Sequence, residues 1–303
     1  MRYLVTGGAG FIGSHLTDSL VAQGNKVLVF DDFSTGNRSN LAHLLGNNQL
    51  ETISGSILDR QALSGVISGV DGCFHMAAAV GVEKILKDPI GSIKTNIHGT
   101  ENVLELCSDQ RIPVLLASTS EIYGKNSEGT LNEDSDRIVG SPLLSRWTYS
   151  DAKALDEAFA IALHHERNLE VKIIRFFNTV GPRQSAAYGM VIPKFFKAAL
   201  SNQPLVIYGD GSQRRIFCHV SDAISGIIAL WSKNEANGDV YNLGGIEETS
   251  IIQLASKILE ITSHALAISF NQHFSRQKLE EELRIVEKEF VGLMVKIPNI
   301  PSP

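Results

Sequence analysis

Met1-Arg-Tyr-Leu-Val-Thr6 is a short apolar run that opens directly into Gly7-Gly8-Ala9-Gly10-Phe11-Ile12-Gly13. Ser14 to Gln23 continues it as an amphipathic stretch. The order reads as strand, glycine-rich turn, helix. The glycines at 7, 10 and 13 follow a G-x-x-G-x-x-G spacing. Glycine reaches positive φ and lets backbone approach a ligand closely. The helix that follows aims unpaired N–H groups and the positive end of its dipole at a phosphate.

The next segment supplies the context such a turn needs. Lys26-Val-Leu-Val-Phe30 is a second strand, and it ends in Asp31-Asp32. An acidic residue about twenty positions after the glycines is placed to hold a dinucleotide's ribose hydroxyls. Asp31 would repel a 2′-phosphate, so NAD is expected over NADP. The expected cofactor contacts here are Gly7, Gly10, Phe11, Ile12, Gly13, Asp31 and Asp32.

The chain has 303 residues, enough for one large or two modest domains. Hydrophobic residues make up 43% and charged residues 20%, the balance of an ordinary soluble protein. A net charge of −6 disfavours an electrostatic grip on nucleic acid or anionic lipid. No apolar run reaches membrane-spanning length. The first strand begins at the first residues, so no targeting segment is read, and a cytoplasmic location is the default expectation. Cys73, Cys107 and Cys218 are odd in number and widely spaced, as expected of reduced, buried thiols. The nine histidines show no metal-ligand spacing.

Strand signals recur at Leu50–Ser54, Gly72–His75, Pro113–Ser118 and Val171–Phe177. Helical stretches lie between them at Asp59–Ser68, Pro89–Ser108 and Ser150–Asn168. This alternation predicts an α/β fold, with a doubly wound parallel sheet covered on both faces. After Gly181-Pro182 the character changes. A helix over 191–200, strands at 204–208 and 215–220, and helices at 222–231 and about 250–262 are expected. The boundaries read from this are 1–180 for a Rossmann-type NAD-binding domain and 181–303 for a smaller C-terminal α/β substrate domain. Strands between about 214 and 243 are expected to return to the first sheet.

Tyr149-Ser-Asp-Ala-Lys153 places a tyrosine and a lysine at i, i+4 on one helix face. A free tyrosine titrates near about 10 and is a poor base at neutral pH. A neighbouring ammonium, with the positive charge of an oxidised nicotinamide, favours the phenolate. That is a base able to take a proton from a sugar hydroxyl. Leu115-Leu-Ala-Ser-Thr-Ser-Glu-Ile-Tyr-Gly124 brings an apolar strand to a hydroxyl cluster. Strand C-termini are where doubly wound sheets bind ligands.

With these segments the chain resembles the extended short-chain dehydrogenases/reductases, in their NAD-dependent nucleotide-sugar epimerase, dehydratase and decarboxylase group. The resemblance rests on TGGAGFIGSH, on HMAAAVGV from His75 and on TNIHGTENV from Thr95. It rests further on STSEIYG, YSDAK, RFFNTVGPR from Arg175 and IYGDGSQRRIFCHVSDA from Ile207. It covers nearly the whole chain. It implies that Thr119 hydrogen-bonds the sugar O4 beside Tyr149, and that Lys153 binds the nicotinamide ribose. Ser56 and Ile57 would flank adenine, Ala77 and Ala78 would pass close to the cofactor, and Asn96 would order the site. Ser120, Asn178, Arg183, Val191, Tyr208 and Arg215 are the substrate contacts it implies, for a UDP-linked sugar. It also implies a homodimer paired through the helices at 89–108 and 150–168.

The shared first step in this group is oxidation at C4, with Tyr149 taking the O4 proton. Ser120-Glu121 replaces the Asp-Glu pair of 4,6-dehydratases, so dehydration is disfavoured. Ser-Glu is the pattern of UDP-glucuronate decarboxylases and makes Glu121 a catalytic candidate. The AAAVGV string and Ser145-Arg-Trp-Thr-Tyr149 resemble a subgroup taken to be 4-epimerases. Epimerisation of a UDP-hexose or UDP-hexuronate at C4 is therefore the expected activity, and decarboxylation of UDP-glucuronate the alternative. A non-catalytic NAD-binding role sits poorly with an intact Thr119, Tyr149 and Lys153.

Two departures from the group stand out. Ser56 occupies a place where many relatives carry Asp. Near the C-terminus, Lys296-Ile-Pro-Asn299 is the nearest match to an Arg-x-Pro-Asp element, and a lysine lacks arginine's fork. The substrate domain is thus expected to be short at its C-terminus. Leu279, Leu283, Val286 and Phe290 fall at helical spacing just before it.

Overall fold

The structure is a computed structural model that describes residues 1–81, 87–126, 130–185, 190–262 and 268–271. The C-terminal features expected at Lys296–Asn299 and at 279–290 lie outside these residues, as does Val82. In chain order the strands are β1 (Arg2–Thr6), β2 (Lys26–Asp31), β3 (Leu50–Ser54), β4 (Gly72–His75), β5 (Val114–Thr119), β6 (Val171–Phe176) and β7 (Thr179–Val180). They continue as β8 (Leu205–Tyr208), β9 (Arg214–Ile216), β10 (Cys218–His219), β11 (Val240–Leu243), β12 (Glu248–Ser250) and β13 (Ile268–Asn271). The α-helices are α1 (Phe11–Ala22), α2 (Arg60–Ile67), α3 (Pro89–Gln110), α4 (Thr148–Arg167), α5 (Val191–Leu200), α6 (Val220–Trp231) and α7 (Ile251–Thr262).

The main sheet has seven strands in the order β11-β6-β5-β4-β1-β2-β3. Its strand pairs are parallel. A parallel sheet is buried on both faces, which is why β1, β2 and β6 read as apolar runs. Alternate residues serve opposite layers. Tyr3 and Val5 pack with Leu16, Leu20, Val220 and Ile224 on the α1 and α6 side. Leu4 packs with Leu63, Val103, Leu104, Ala160 and Leu163 on the side of α2, α3 and α4. The chain order reverses between β1 and β4, the switch point where such sheets bind ligands.

Helix ends follow local chemistry. Asp88 caps α3 by accepting the Gly91 N–H at 2.9 Å, with Pro89 in the first turn. Arg111 and Asn168 take left-handed conformations at the ends of α3 and α4. Helix α4 starts at Thr148 rather than Ser150, so Tyr149 lies in its first turn. The strand expected over 215–220 is two short strands, because the chain changes partner at Phe217: β9 pairs with β12 and β10 with β7. His219 then accepts from the Ser221 N–H and starts α6 two residues earlier than the sequence pattern suggests.

The chain forms two compact units. One comprises Met1–Met190 and Ile216–Glu247, the other Val191–Arg215 and Glu248–Pro303. In the second, β8 and β13 are parallel partners, and Arg214 meets Glu248 at 2.7 Å. Cys73, Cys107 and Cys218 are buried and unbridged. Among the described residues no helix is long and apolar enough to cross a membrane.

Candidate active site

A cavity of about 650 Å³ opens in the first unit at the switch point. Gly7, Gly10, Phe11, Ile12 and Gly13 form one wall, and Asp31, Asp32 and Ile57 another. Ala77 and Ala78 line it from the end of β4. The turn tolerates only glycine where it matters most. Gly7 has φ +67°, and a Cβ there would sit 2.7 Å from the Ala77 backbone. A Cβ on Gly13 would collide with the Gly7 carbonyl. The turn is thereby drawn tight against both neighbouring strand ends, leaving bare backbone facing the cavity.

Asp31 is nearly buried. Its carboxylate accepts the Ala9 N–H at 2.9 Å and the Phe33 N–H at 2.8 Å. Burial pushes the Asp31 carboxyl up, and these two N–H groups oppose it. Each oxygen keeps a lone pair for a further donor. The chemistry of this wall fits a dinucleotide: bare backbone and a helix N-terminus for phosphates, and a fixed carboxylate for ribose hydroxyls. Ser34, Thr35, Gly36, Asn37 and Asn40 complete that side, a contribution the sequence reading missed. The Thr-Gly-Asn string after Asp32 was the available signal.

Four expected cofactor residues stand back from the cavity lining. Ser56 turns its hydroxyl to the Leu58 N–H at 3.3 Å. Asn96 clamps Ala79, accepting its N–H at 2.7 Å and donating to its carbonyl at 3.2 Å, and so fixes the segment that carries Ala77 and Ala78. Lys153 is buried and pairs with Asp156 at 3.0 Å. Tyr149 opens the same helix face.

The expected phenolate at Tyr149 relies on the Lys153 ammonium together with the positive charge of an oxidised nicotinamide. The chain's own groups, without that cofactor charge, favour the neutral phenol. Burial pushes the phenol up, and the carboxylates of Glu121 and Asp156 push it further. Burial is the larger cause, and the Lys153 ammonium lies on Asp156, at i+3. Thr119 ends β5, where its hydroxyl accepts the Glu121 N–H at 3.2 Å and caps the short turn Ser120–Tyr123. That turn carries Ser120 and Glu121.

Behind this turn lies a buried network. Arg175 binds Glu157 through Nε and Nη2, the shortest contact being 2.7 Å. Ser118 donates to Glu157 at 2.5 Å, and Arg175 Nη1 donates to Tyr123 Oη at 2.8 Å. Tyr123 Oη in turn donates to Asn242 at 2.7 Å. The ends of β5, β6 and β11 are thus tied to α4.

The expected substrate residues are dispersed. Arg183 lines the cavity near the glycine turn, where its guanidinium donates to Ser14 at 3.1 Å and Asp18 at 2.8 Å. Asn178 donates to the Ile216 carbonyl at 2.9 Å, bracing the return of the chain to the first unit. Val191, Tyr208 and Arg215 belong to the second unit, where Arg215 donates to the Arg214 carbonyl at 2.8 Å.

The profile of a family described as NAD dependent epimerase/dehydratase matches residues 3–244. The chain is 40% identical over 262 residues to the UDP-N-acetyl-alpha-D-glucosaminuronate decarboxylase of Bacillus cytotoxicus, covering 86% of this chain and 80% of that one. It is 36% identical over 270 residues to UDP-glucuronic acid decarboxylase 1 of Arabidopsis thaliana, covering 89% of this chain but only 60% of that relative's length. Among solved structures, the UDP-glucuronic acid 4-epimerase of Bacillus cereus, in complex with UDP-glucuronic acid and NAD, is 32% identical with a TM-score of 0.82. That alignment covers 90% of this chain and 86% of the other.

Proposed function

The chain belongs to the NAD-dependent epimerase/dehydratase family, and from that premise we propose that it is a UDP-hexuronate decarboxylase, with UDP-glucuronate or its 2-acetamido counterpart as substrate. NAD is the cofactor, and when bound it supplies reversible oxidation at C4 of the sugar. The glycine turn and Asp31 hold it through phosphates and ribose. Tyr149 takes the O4 proton as C4 is oxidised. The product is a ketone β to the C6 carboxylate. The C5–C6 bond then breaks, its electrons pass to O4 as an enolate, and CO₂ leaves. Protonation at C5 and return of hydrogen to C4 complete a UDP-pentose.

The observation that carries this reading is the Thr119-Ser120-Glu121 turn. It places a carboxylate close enough to Tyr149 to act on its phenol. Glu121 is then the group that manages the C5 proton, and Thr119 shares O4 with Tyr149. The sequence alone favoured C4 epimerisation. The curated relatives at 36–40% identity shift the balance to decarboxylation. The second reading, a UDP-hexuronate 4-epimerase, draws on the likeness to the Bacillus cereus structure. Both use a uronate. Ser120, Asn178 and Arg183 of the first unit are proposed substrate contacts, as are Val191, Tyr208 and Arg215 of the second.

The test is the fate of the carboxyl carbon. The purified protein with NAD should release labelled CO₂ from UDP-glucuronate or UDP-N-acetylglucosaminuronate labelled at C6 with carbon-13. Retention of the label in a C4 epimer would replace this reading with the second.

A homodimer paired through α3 and α4 is also proposed. The two helices pack on each other and leave Ile90 and Leu155 exposed, at 67% and 53%. Sedimentation at micromolar concentration should give a dimer, and Leu155→Glu should yield monomer. Wild-type protein that runs only as monomer would rule out the pairing.

A further inference from the structure

Lys153 does not stand alone in the protein interior. Its Nζ lies 3.0 Å from Asp156 Oδ2. The same oxygen accepts the Thr100 hydroxyl at 3.1 Å. Thr100 Oγ1 lies 3.1 Å from His75 Nε2, and His75 Nδ1 lies 2.7 Å from Thr6 Oγ1. Thr6 Oγ1 finally accepts the N–H of Ala77, a residue of the cavity wall, at 3.3 Å. Every member of the row except Ala77 is at most 3% exposed.

The protons along this row can be assigned. Thr100 spends its only hydrogen on Asp156, so at His75 it accepts, and His75 must carry hydrogen on Nε2. His75 Nδ1 is then an acceptor and takes the Thr6 hydroxyl hydrogen. Thr6 in turn accepts from Ala77. One arrangement satisfies every contact in the row, with His75 neutral. Burial first, and the Lys153 ammonium second, hold its imidazole down to about 3, which agrees with that assignment.

We propose that Asp156 is a positioning residue for the Tyr149–Lys153 pair. It draws the Lys153 ammonium toward α3 and, through the row to Ala77, fixes how much of that charge reaches the tyrosine. This rests on the reading of Tyr149 as the base at O4. The charged groups acting on Tyr149 are Glu121 from the turn after β5 and Asp156 from its own helix, while Lys153 lies four residues on in that helix with its ammonium on Asp156. Those facing Asp156 are Lys153 and Glu157 from its own helix and Thr100 from α3, with His75 of β4 behind it. With the carboxylate in place the tyrosine keeps its proton, and the lysine stays fixed for its partner in the cofactor.

Asp156→Asn tests this in the full chain loaded with NAD. The readout is the pH dependence of the first C4 oxidation, followed by the absorbance of reduced cofactor in a single turnover with UDP-glucuronate or UDP-N-acetylglucosaminuronate. The substitution removes one negative charge near the phenol and releases one ammonium, and both favour the phenolate. The rising limb should move to lower pH by about one unit or more, with KM for the sugar nucleotide little changed. Asp156→Glu should keep the wild-type profile. If Asp156→Asn does not fold, Asp156→Ser keeps an acceptor for Thr100 and Lys153 without the charge, and should shift the profile the same way. An unshifted profile in a variant that folds and holds NAD would overturn the proposal, as would an effect confined to KM. Tyr149→Phe separates the two ideas. If that variant still turns over, the base assignment itself has failed. If it is dead while the Asp156→Asn profile stays put, only the role of Asp156 has failed.

Discussion

Tyr149→Phe is expected to lower kcat by about 10²- to 10⁴-fold while NAD binding stays near wild type, because it removes a general base and leaves the glycine cavity untouched. Burial and the carboxylates of Glu121 and Asp156 all favour the protonated phenol. In the absence of ligands the phenolate is therefore a minor form at neutral pH, and the oxidation step should accelerate as pH rises. The positive charge of oxidised NAD acts in the opposite direction once bound, so the limb should sit lower in the loaded protein than in direct titration of the apo tyrosine. Steady-state rates together with a fluorescence titration of NAD check both halves. A variant that keeps more than about a tenth of the wild-type rate would mean that another group takes the proton.

Glu157→Ala is expected to be the most damaging substitution for stability. It would leave Arg175 charged and buried, with its Nε and Nη2 partners gone. Ser118 would lose the acceptor it reaches at 2.5 Å. Removing one member of a buried, hydrogen-bonded ion pair costs about 3–5 kcal/mol. Arg175 Nη1 would still donate to Tyr123 and to the Glu133 carbonyl at 2.9 Å, so the guanidinium stays anchored on one side only. Urea unfolding of the variant and the wild type measures the difference. A loss below about 1 kcal/mol would place this pair with exposed surface bridges.

Much of this protein is legible from short-range spacing. The glycines at 7, 10 and 13, the acid at 31 and the tyrosine–lysine pair at 149 and 153 are local patterns, each made by one turn, strand end or helix face. The cavity gathers the first two sets, because a parallel sheet brings its strand C-termini to one edge. The row from Lys153 to Ala77 is different. Thr6, His75, Thr100 and Asp156 come from β1, β4, α3 and α4, and no spacing in sequence records their meeting. Only Asp156, three residues after Lys153, left a local trace. The direction in which Tyr149 is pushed was illegible for the same reason, since it depends first on burial and then on Glu121 from another element as well as on Asp156. Strand 215–220 was read as continuous because its apolar residues are contiguous. The partner change at Phe217 is a matter of topology that contiguity does not encode.

Oxidation of a UDP-hexuronate at C4, with Tyr149 as base, is the proposed first step. It is tested most directly by mixing NAD-loaded protein with UDP-glucuronate, and separately with UDP-N-acetylglucosaminuronate, while watching the near-ultraviolet absorbance of reduced cofactor. A transient rise is expected with at least one of the two, absent in Tyr149→Phe. No rise with either uronate, but a rise with UDP-glucose or UDP-N-acetylglucosamine, would contradict the claim and place the substrate among the neutral sugars.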